Sequence, residues 1–248
     1  MKQKTIVIAS GGTGGHLYPT IAVAEEIRVI DPEIRVVFVG TSNRIESKEV
    51  PRAGFEFRPI EISAPGRSFN QLIKFPLQYQ KAYLLSQKIL RELGPSAFLG
   101  GGAYLSVPVA FAAKRKRIPI SLLEINAVAG RANKLLSKSA ERIFLSYPET
   151  KSEFPNVEAS KLKIVGTPVR NSLEIGLPDR QTALEYFGLK QDHKTLLVFG
   201  GSLGARSLNE AMIQSAQKLL DTGMNIIWQT GASADVEGTE ELLEERDG

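Results

Sequence analysis

The chain has 248 residues, 42% hydrophobic and 23% charged, with a formal net charge of +4 and a pI near 9.2. That balance belongs to a globular protein able to bury a sizeable core, and it excludes a disordered or fibrous chain. The absence of cysteine excludes disulfides, thiolate metal sites and a thiol nucleophile, and two histidines, His16 and His193, leave little for a zinc cluster.

No apolar run approaches the roughly 18 residues of a transmembrane helix. The basic start Met1-Lys2-Gln3-Lys4 precedes an apolar stretch of only about five residues, too short for a signal peptide, so a cytosolic protein is expected. Strand-like and helix-like runs alternate from there on. Residues 5–9 read as a strand and 16–30 as a helix with Val23, Ile27 and Ile30 on one face; Asp31-Pro32 ends it. Strands are expected at 35–39 and 55–60, then a helix over 71–93 broken at Pro76, with Ala82, Leu85 and Ile89 facing a core. A short buried strand at 97–99 runs into Gly100-Gly101-Gly102. Helix 107–116, strand 119–123, helix 129–138 and strands 142–145 and 162–165 complete a first domain, 1–165.

Gly166-Thr167-Pro168-Val169-Arg170 and Gly176-Leu177-Pro178-Asp179 read as linker and turn. Helix 181–187, strand 195–199, helix 205–220 and strand 225–229 follow. A doubly wound domain has about five or six strands. Only two follow the linker, so 166–248 reads as a second domain cut off before completion. The expected fold class is α/β with parallel sheets in two Rossmann-like domains, the second incomplete.

Two glycine turns of similar spelling carry the chemistry. Gly11-Gly12-Thr13-Gly14-Gly15-His16 follows the first strand, and Gly200-Gly201-Ser202-Leu203-Gly204-Ala205 follows the strand at 195–199. A strand that breaks into glycines and reopens as a helix presents backbone N–H groups to a phosphate or pyrophosphate. Neither turn is a nucleotide fingerprint of the usual kinds. Leu17 stands where G-x-G-x-x-G needs its last glycine, the second strand ends Val39-Gly40-Thr41-Ser42 without an acid for a ribose, and no Gly-Lys-Ser/Thr follows either turn. His16, in the first turn of its helix, is a candidate general base or a cap that contacts phosphate. Glu124 and Asn126 end a strand at the carboxyl edge of the sheet, where open α/β sheets bind ligands. Arg170, in the linker, can neutralise a diphosphate or simply face solvent. Leu72, Ile73, Phe75, Leu77 and Tyr79, with Arg67, Lys74 and Lys81 nearby, suit either a bilayer interface or packing on the sheet. Lys114-Arg115-Lys116-Arg117 is a basic helix end with no aromatic interleaving, so no nucleic-acid partner is expected.

The stretch Ile8-Ala9-Ser10-Gly11-Gly12-Thr13-Gly14-Gly15-His16-Leu17-Tyr18-Pro19 resembles the opening of the bacterial glycosyltransferases that add N-acetylglucosamine to undecaprenyl-pyrophosphoryl-MurNAc-pentapeptide. The resemblance continues in order through the turn at 100–108, residues 124–133, 166–170 and 200–209, and Trp228-Gln229-Thr230-Gly231. It implies the GT-B fold, with the lipid acceptor on the first domain and most of UDP-GlcNAc on the second. It implies inverting transfer to the acceptor's C4 hydroxyl without a metal or other cofactor; no Asp-x-Asp metal motif occurs. By position it implies His16 as the base, Glu124 supporting the acceptor side, and Thr13, Gly14, Gly15, Asn126, Arg170 and Ser202 as contacts to UDP-GlcNAc or its pyrophosphate. It also implies peripheral attachment to the anionic cytoplasmic face of the inner membrane through the patch around residues 72–79. Leu123 and Ile125 depart from the family's usual His and Gln beside Glu124, and Thr167 from its usual Asn. Read as a fragment, the chain is expected to bind UDP-sugar very weakly and not to turn over. Two other readings share these motifs: a different GT-B enzyme that makes glycolipids, and a non-catalytic membrane-associated fragment.

Overall fold

A computed structural model describes residues 3–63, 69–170, 173, 176–201 and 204–231, with backbone only over 69–74. The chain forms two compact units, Met1–Ile175 and Gly176–Gly248. Residues 166–170, expected to open the second domain, group with the first unit.

The first unit is built on seven strands: β1 (Thr5–Ala9), β2 (Arg35–Gly40), β3 (Glu56–Pro59), β4 (Ala97–Gly100), β5 (Ile120–Glu124), β6 (Arg142–Leu145) and β7 (Leu162–Ile164). They lie in the order β3-β2-β1-β4-β5-β6-β7, every pair parallel. The helices are α1 (Gly14–Ile30), α2 (Glu46–Arg52), α3 (Phe69–Leu93), α4 (Ser106–Arg115) and α5 (Arg131–Leu136).

Parallel strands covered on both faces need apolar residues at successive positions, which is why 5–9, 35–39 and 97–99 were legible. In β1, Ile8 packs with Leu17, Ile21 and Ala24 of α1, while Val7 and Ala9 face the layer made by α3, α4 and α5. Each fully buried side chain of this size contributes about 1.5–3 kcal/mol. The buried residues of α1 are Leu17, Pro19, Thr20, Ile21, Ala22 and Ala24; Val23 and Ile27 pack partly, and Ile30 is 75% exposed. On α3, Ala82 and Ile89 are buried as expected, but Leu85 is exposed and Leu90 and Leu93 complete the face. α3 also runs unbroken through Pro76. The ring removes one hydrogen-bond donor, a loss the packing of the following turns on α4 outweighs.

α2 had no counterpart in the sequence reading. Its residues, Glu-Ser-Lys-Glu-Val-Pro-Arg, are polar and carry Pro51, and only Glu46 and Val50 are buried.

The second unit contains α6 (Arg180–Tyr186), β8 (Thr195–Phe199), α7 (Arg206–Asp221) and β9 (Asn225–Gln229), with β8 and β9 parallel. Asp179 caps α6, its carboxylate accepting the Thr182 amide at 2.9 Å; that bond holds the Asp179 carboxyl below the usual range. Val198, Met212 and Ala216 form its small core, with Trp228 packed against them.

Candidate functional site

β1 and β4 are neighbours, but the chain leaves them in opposite directions, β1 toward β2 and β4 toward β5. The loops after them therefore part and leave a crevice beyond the carboxyl ends of the strands, the standard ligand position in open α/β sheets. A cavity of about 360 Å³ lies there, lined by Gly11, Gly12, Thr13, His16, Arg44, Gly102, Ala103 and Tyr104. The sequence places Thr13 and His16 at a binding turn; the fold brings them to one hollow with Gly102, Ala103 and Tyr104 of the turn after β4.

The turn at 11–16 is tied to the turn at 100–102. The Gly101 amide donates to Ala9 O at 2.9 Å, and within the first turn the Ser10 hydroxyl donates to His16 O at 2.8 Å. Gly101 must lack a side chain, because a Cβ there would stand 2.5 Å from the Ser10 hydroxyl oxygen and 2.8 Å from the Thr20 methyl. His16 Nδ1 lies 3.0 Å from Gly101 O. A carbonyl oxygen only accepts, so Nδ1 carries the proton and Nε2 keeps the free lone pair. Neutral His16 thus presents one basic atom, on a half-buried ring that lines the cavity.

Thr13 is the N-cap of α1 by backbone conformation, yet its side chain caps nothing. The amides of Gly14, Gly15 and His16 have no acceptor among the described residues. Unpaired N–H groups at the start of a 17-residue helix favour an anion.

Two buried carboxylates hold this arrangement in place. Glu46, fully buried, accepts the Gly12 amide at 2.9 Å through Oε2 and the Thr41 amide and hydroxyl at 2.9 and 2.6 Å through Oε1. It clamps the first glycine turn to the end of β2. Sequence reasoning missed it, because a single acid in a polar stretch carries no spacing signal.

Glu124 is the second. It is 1% exposed. Its Oε1 accepts the Asn126 amide and side chain at 3.0 and 2.9 Å, and its Oε2 accepts the Gly130 amide and Asn133 Nδ2 at 2.8 and 2.9 Å. Both oxygens are committed to folding the loop after β5. Asn126 is exposed at the top of that loop, its amide nitrogen on Glu124. Asn133 is fully buried beneath Gly102, and its Oδ1 has no hydrogen-bond partner among the described residues.

Arg170 lies with its guanidinium 4.4 Å over the Tyr18 ring, and Tyr18 in turn donates weakly to Glu49 at 3.4 Å. Burial and the Glu49 carboxylate push the Tyr18 phenol up, with Arg170 acting against them. Arg170 is thereby held beside the second turn of α1.

In the second unit, β8 ends in a turn at Gly200 and Gly201 that leads to α7, and the Gly204 amide donates to Gly201 O at 2.9 Å. A Cβ on Gly204 would sit 2.1 Å from Thr230 O, so this turn also rests directly on backbone. Buried Asn209 braces it, donating to Thr230 O at 2.9 Å and accepting from the Trp228 ring N–H at 3.1 Å. Ser202 lies outside the described residues. Of the basic and apolar patch, residues 67 and 72–74 are likewise outside the described side chains; Leu77 is 58% exposed and Lys81 is exposed. Among the described residues no three acids or histidines are grouped to hold a metal, and no helix is long and apolar enough to cross a membrane.

Comparison with known proteins accounts for both glycine turns. Residues 6–145 match the glycosyltransferase family 28 N-terminal domain, and 195–247 match its C-terminal domain. The UDP-N-acetylglucosamine--N-acetylmuramyl-(pentapeptide) pyrophosphoryl-undecaprenol N-acetylglucosamine transferase of Christiangramia forsetii is 40% identical over 91% of this chain, and that of Parabacteroides distasonis 37% identical over 93%. The chain spans 61% and 62% of those two proteins. The crystal structure of Acinetobacter baumannii MurG superposes on 98% of the chain, and 65% of its own, with a TM-score of 0.69 and 26% identity. The architecture is α/β of the GT-B class. With more than half of its length inside the family's N-terminal domain and both domain types matched in order, the chain belongs to glycosyltransferase family 28.

Proposed function

We propose that the chain is part of an inverting glycosyltransferase that moves N-acetylglucosamine from UDP-GlcNAc to the C4 hydroxyl of MurNAc in undecaprenyl-pyrophosphoryl-MurNAc-pentapeptide, a step in peptidoglycan synthesis. The observation that carries the reading is His16: its Nδ1 proton is spent on Gly101 O, so Nε2 is a ready base in a cavity between the turns at 11–16 and 100–102. The relatives named for this transfer support the substrates.

In this reading Gly14, Gly15 and the Thr13 hydroxyl, which the resemblance assigns to UDP-GlcNAc, meet the acceptor's pyrophosphate instead, and the acceptor's C4 hydroxyl gives its proton to His16 Nε2 as the oxygen attacks the anomeric carbon. UDP leaves from the opposite face of the sugar. Glu124 acts as a positioning residue that sets the loop bearing Asn126, which holds the donor sugar. Arg170 and Ser202 contact the donor nucleotide. Hydrogen-bond donors aimed at a departing diphosphate are the means of stabilisation this chemistry needs. Asn126 apart, residues 1–165 serve the acceptor, and the turn at 200–205 serves the donor. Exposed apolar Leu77 and cationic Lys81 on α3 support a peripheral seat on an anionic membrane, on its cytoplasmic face.

The test is isothermal calorimetry of the chain with a water-soluble, short-prenyl pyrophosphoryl-MurNAc-pentapeptide, alongside radiolabelled transfer from UDP-GlcNAc. Saturable binding of this acceptor, and none of a diacylglycerol acceptor, is expected. Preference for the glycerolipid would move the chain to a glycolipid-forming enzyme.

A further inference from the structure

We propose that Arg44, in the loop between β2 and α2, is an acceptor-binding residue whose guanidinium grips the diphosphate seated at the start of α1. The proposal rests on the acceptor reading above.

The loop after β2 runs along the first glycine turn. Glu46 bonds the Gly12 amide, and the Ile45 side chain comes within 3.9 Å of where a Cβ on Gly14 would stand. Arg44, next in line, lines the cavity together with Gly11, Gly12, Thr13 and His16. Its backbone is fixed, since its carbonyl accepts the Ser47 amide at 3.1 Å and the Ser47 hydroxyl at 2.8 Å as α2 begins. Its side chain is not: among the described residues no carboxylate forms an ion pair with it and no acceptor takes a hydrogen bond from it. The nearest acid in sequence, Glu46, is occupied by Gly12 and Thr41.

The charge of Arg44 is felt at the far wall of the cavity. Burial pushes the Tyr104 phenol up, and Arg44 acts against that push. One unpaired guanidinium and the first turn of α1, at Thr13 and His16, therefore border the same hollow, and no acid is among the residues that line it. A guanidinium presents its donors as a planar fork that fits two oxygens of a phosphate, which an ammonium cannot do. A diphosphate has oxygens enough for the amides and the fork together.

The experiment is calorimetry of the soluble short-prenyl acceptor and of inorganic pyrophosphate against the parent chain, Arg44→Ala, Arg44→Lys and Lys48→Ala. Lys48 is an exposed cation on the adjoining helix outside the cavity lining. Arg44→Ala is expected to weaken the acceptor about tenfold or more, as loss of a charge-assisted contact does. Arg44→Lys should recover part of the loss, and Lys48→Ala should bind as the parent does. All four should melt alike. An equal loss for pyrophosphate and acceptor supports recognition of the diphosphate itself, whereas a loss for the acceptor alone overturns it. Unchanged acceptor binding by Arg44→Ala removes the residue while the acceptor site stands, as does an equal loss in Lys48→Ala. A parent chain that binds no acceptor overturns both readings.

Discussion

Replacing Glu46 with glutamine changes one atom and should loosen the whole first glycine turn. In the native protein one carboxylate oxygen takes the Gly12 amide and the other takes two donors from Thr41. Glutamine has one acceptor oxygen. If that oxygen stays on Thr41, an NH2 group faces the Gly12 N–H, donor against donor. If it turns to Gly12, the two Thr41 donors lose their partner. An unmet buried donor costs about 1–3 kcal/mol. Removing a buried charge offsets part of that through lower desolvation. A net loss of about 2 kcal/mol is expected. For a unit the size of Met1–Ile175 this lowers Tm by roughly 4–8 °C. Differential scanning calorimetry gives the Tm, and hydrogen exchange at the Gly12 amide gives the local effect, which should quicken by about tenfold or more. A Tm within about a degree of the parent, with Gly12 exchange unchanged, would refute the clamp.

In a full-length transferase, His16→Ala should lower transfer by about two to four orders of magnitude while acceptor affinity stays within about twofold, the signature of a lost base rather than a lost contact; steady-state kinetics with calorimetry separates the two. Glu56 links β3 to β2 by an ion pair with Arg35 at 2.5 Å and pairs within β3 with Arg58 at 2.8 Å. Burial works to raise its pKa, but the hydrogen bonds and charges of Arg35 and Arg58 outweigh it and hold the carboxyl below its ordinary 4.5. Its contribution is therefore present above about pH 4.5 and fades as pH falls through the depressed value. The Tm difference between the parent and Glu56→Gln should shrink on acidification across that window, and a difference that widens would contradict the sign. Gly101→Ala should cost roughly 1–3 kcal/mol in chemical denaturation, from forcing a methyl against Ser10 and Thr20; full parental stability would show that the two turns are not in close contact.

The sheet was legible because its strands are buried on both faces. Val7, Ile8 and Ala9, or Val36 through Val39, are apolar at every position, and nothing but a covered parallel strand needs that. Strand ends moved by a residue or so: β5 runs to Glu124 and β7 stops at Ile164. The glycine turns were legible for a different reason, since only glycine suits the positive φ of Gly12 or Gly102 and the contact at Gly101. What stayed hidden were single residues whose meaning depends on a distant partner. Glu46 and Arg44 sit in a polar stretch with Pro51 and no apolar period, so neither the short helix nor the clamp made by Glu46 nor the proposed role of Arg44 announced itself. Glu124 was placed correctly at the strand edge, yet its commitment to Asn126, Gly130 and Asn133 appears only once the loop closes over it.

The bond between His16 and Gly101 restricts how the proposed catalyst resets. Because Nδ1 stays tied to a carbonyl, a proton captured at Nε2 has no second exit through the ring. It must depart from the same edge by which it arrived. Product has to clear that edge, or water has to reach it, before another round begins. Discharge of the imidazolium and unloading of the crevice would then be one event, and a slow-leaving glycolipid would hold the enzyme in its protonated form.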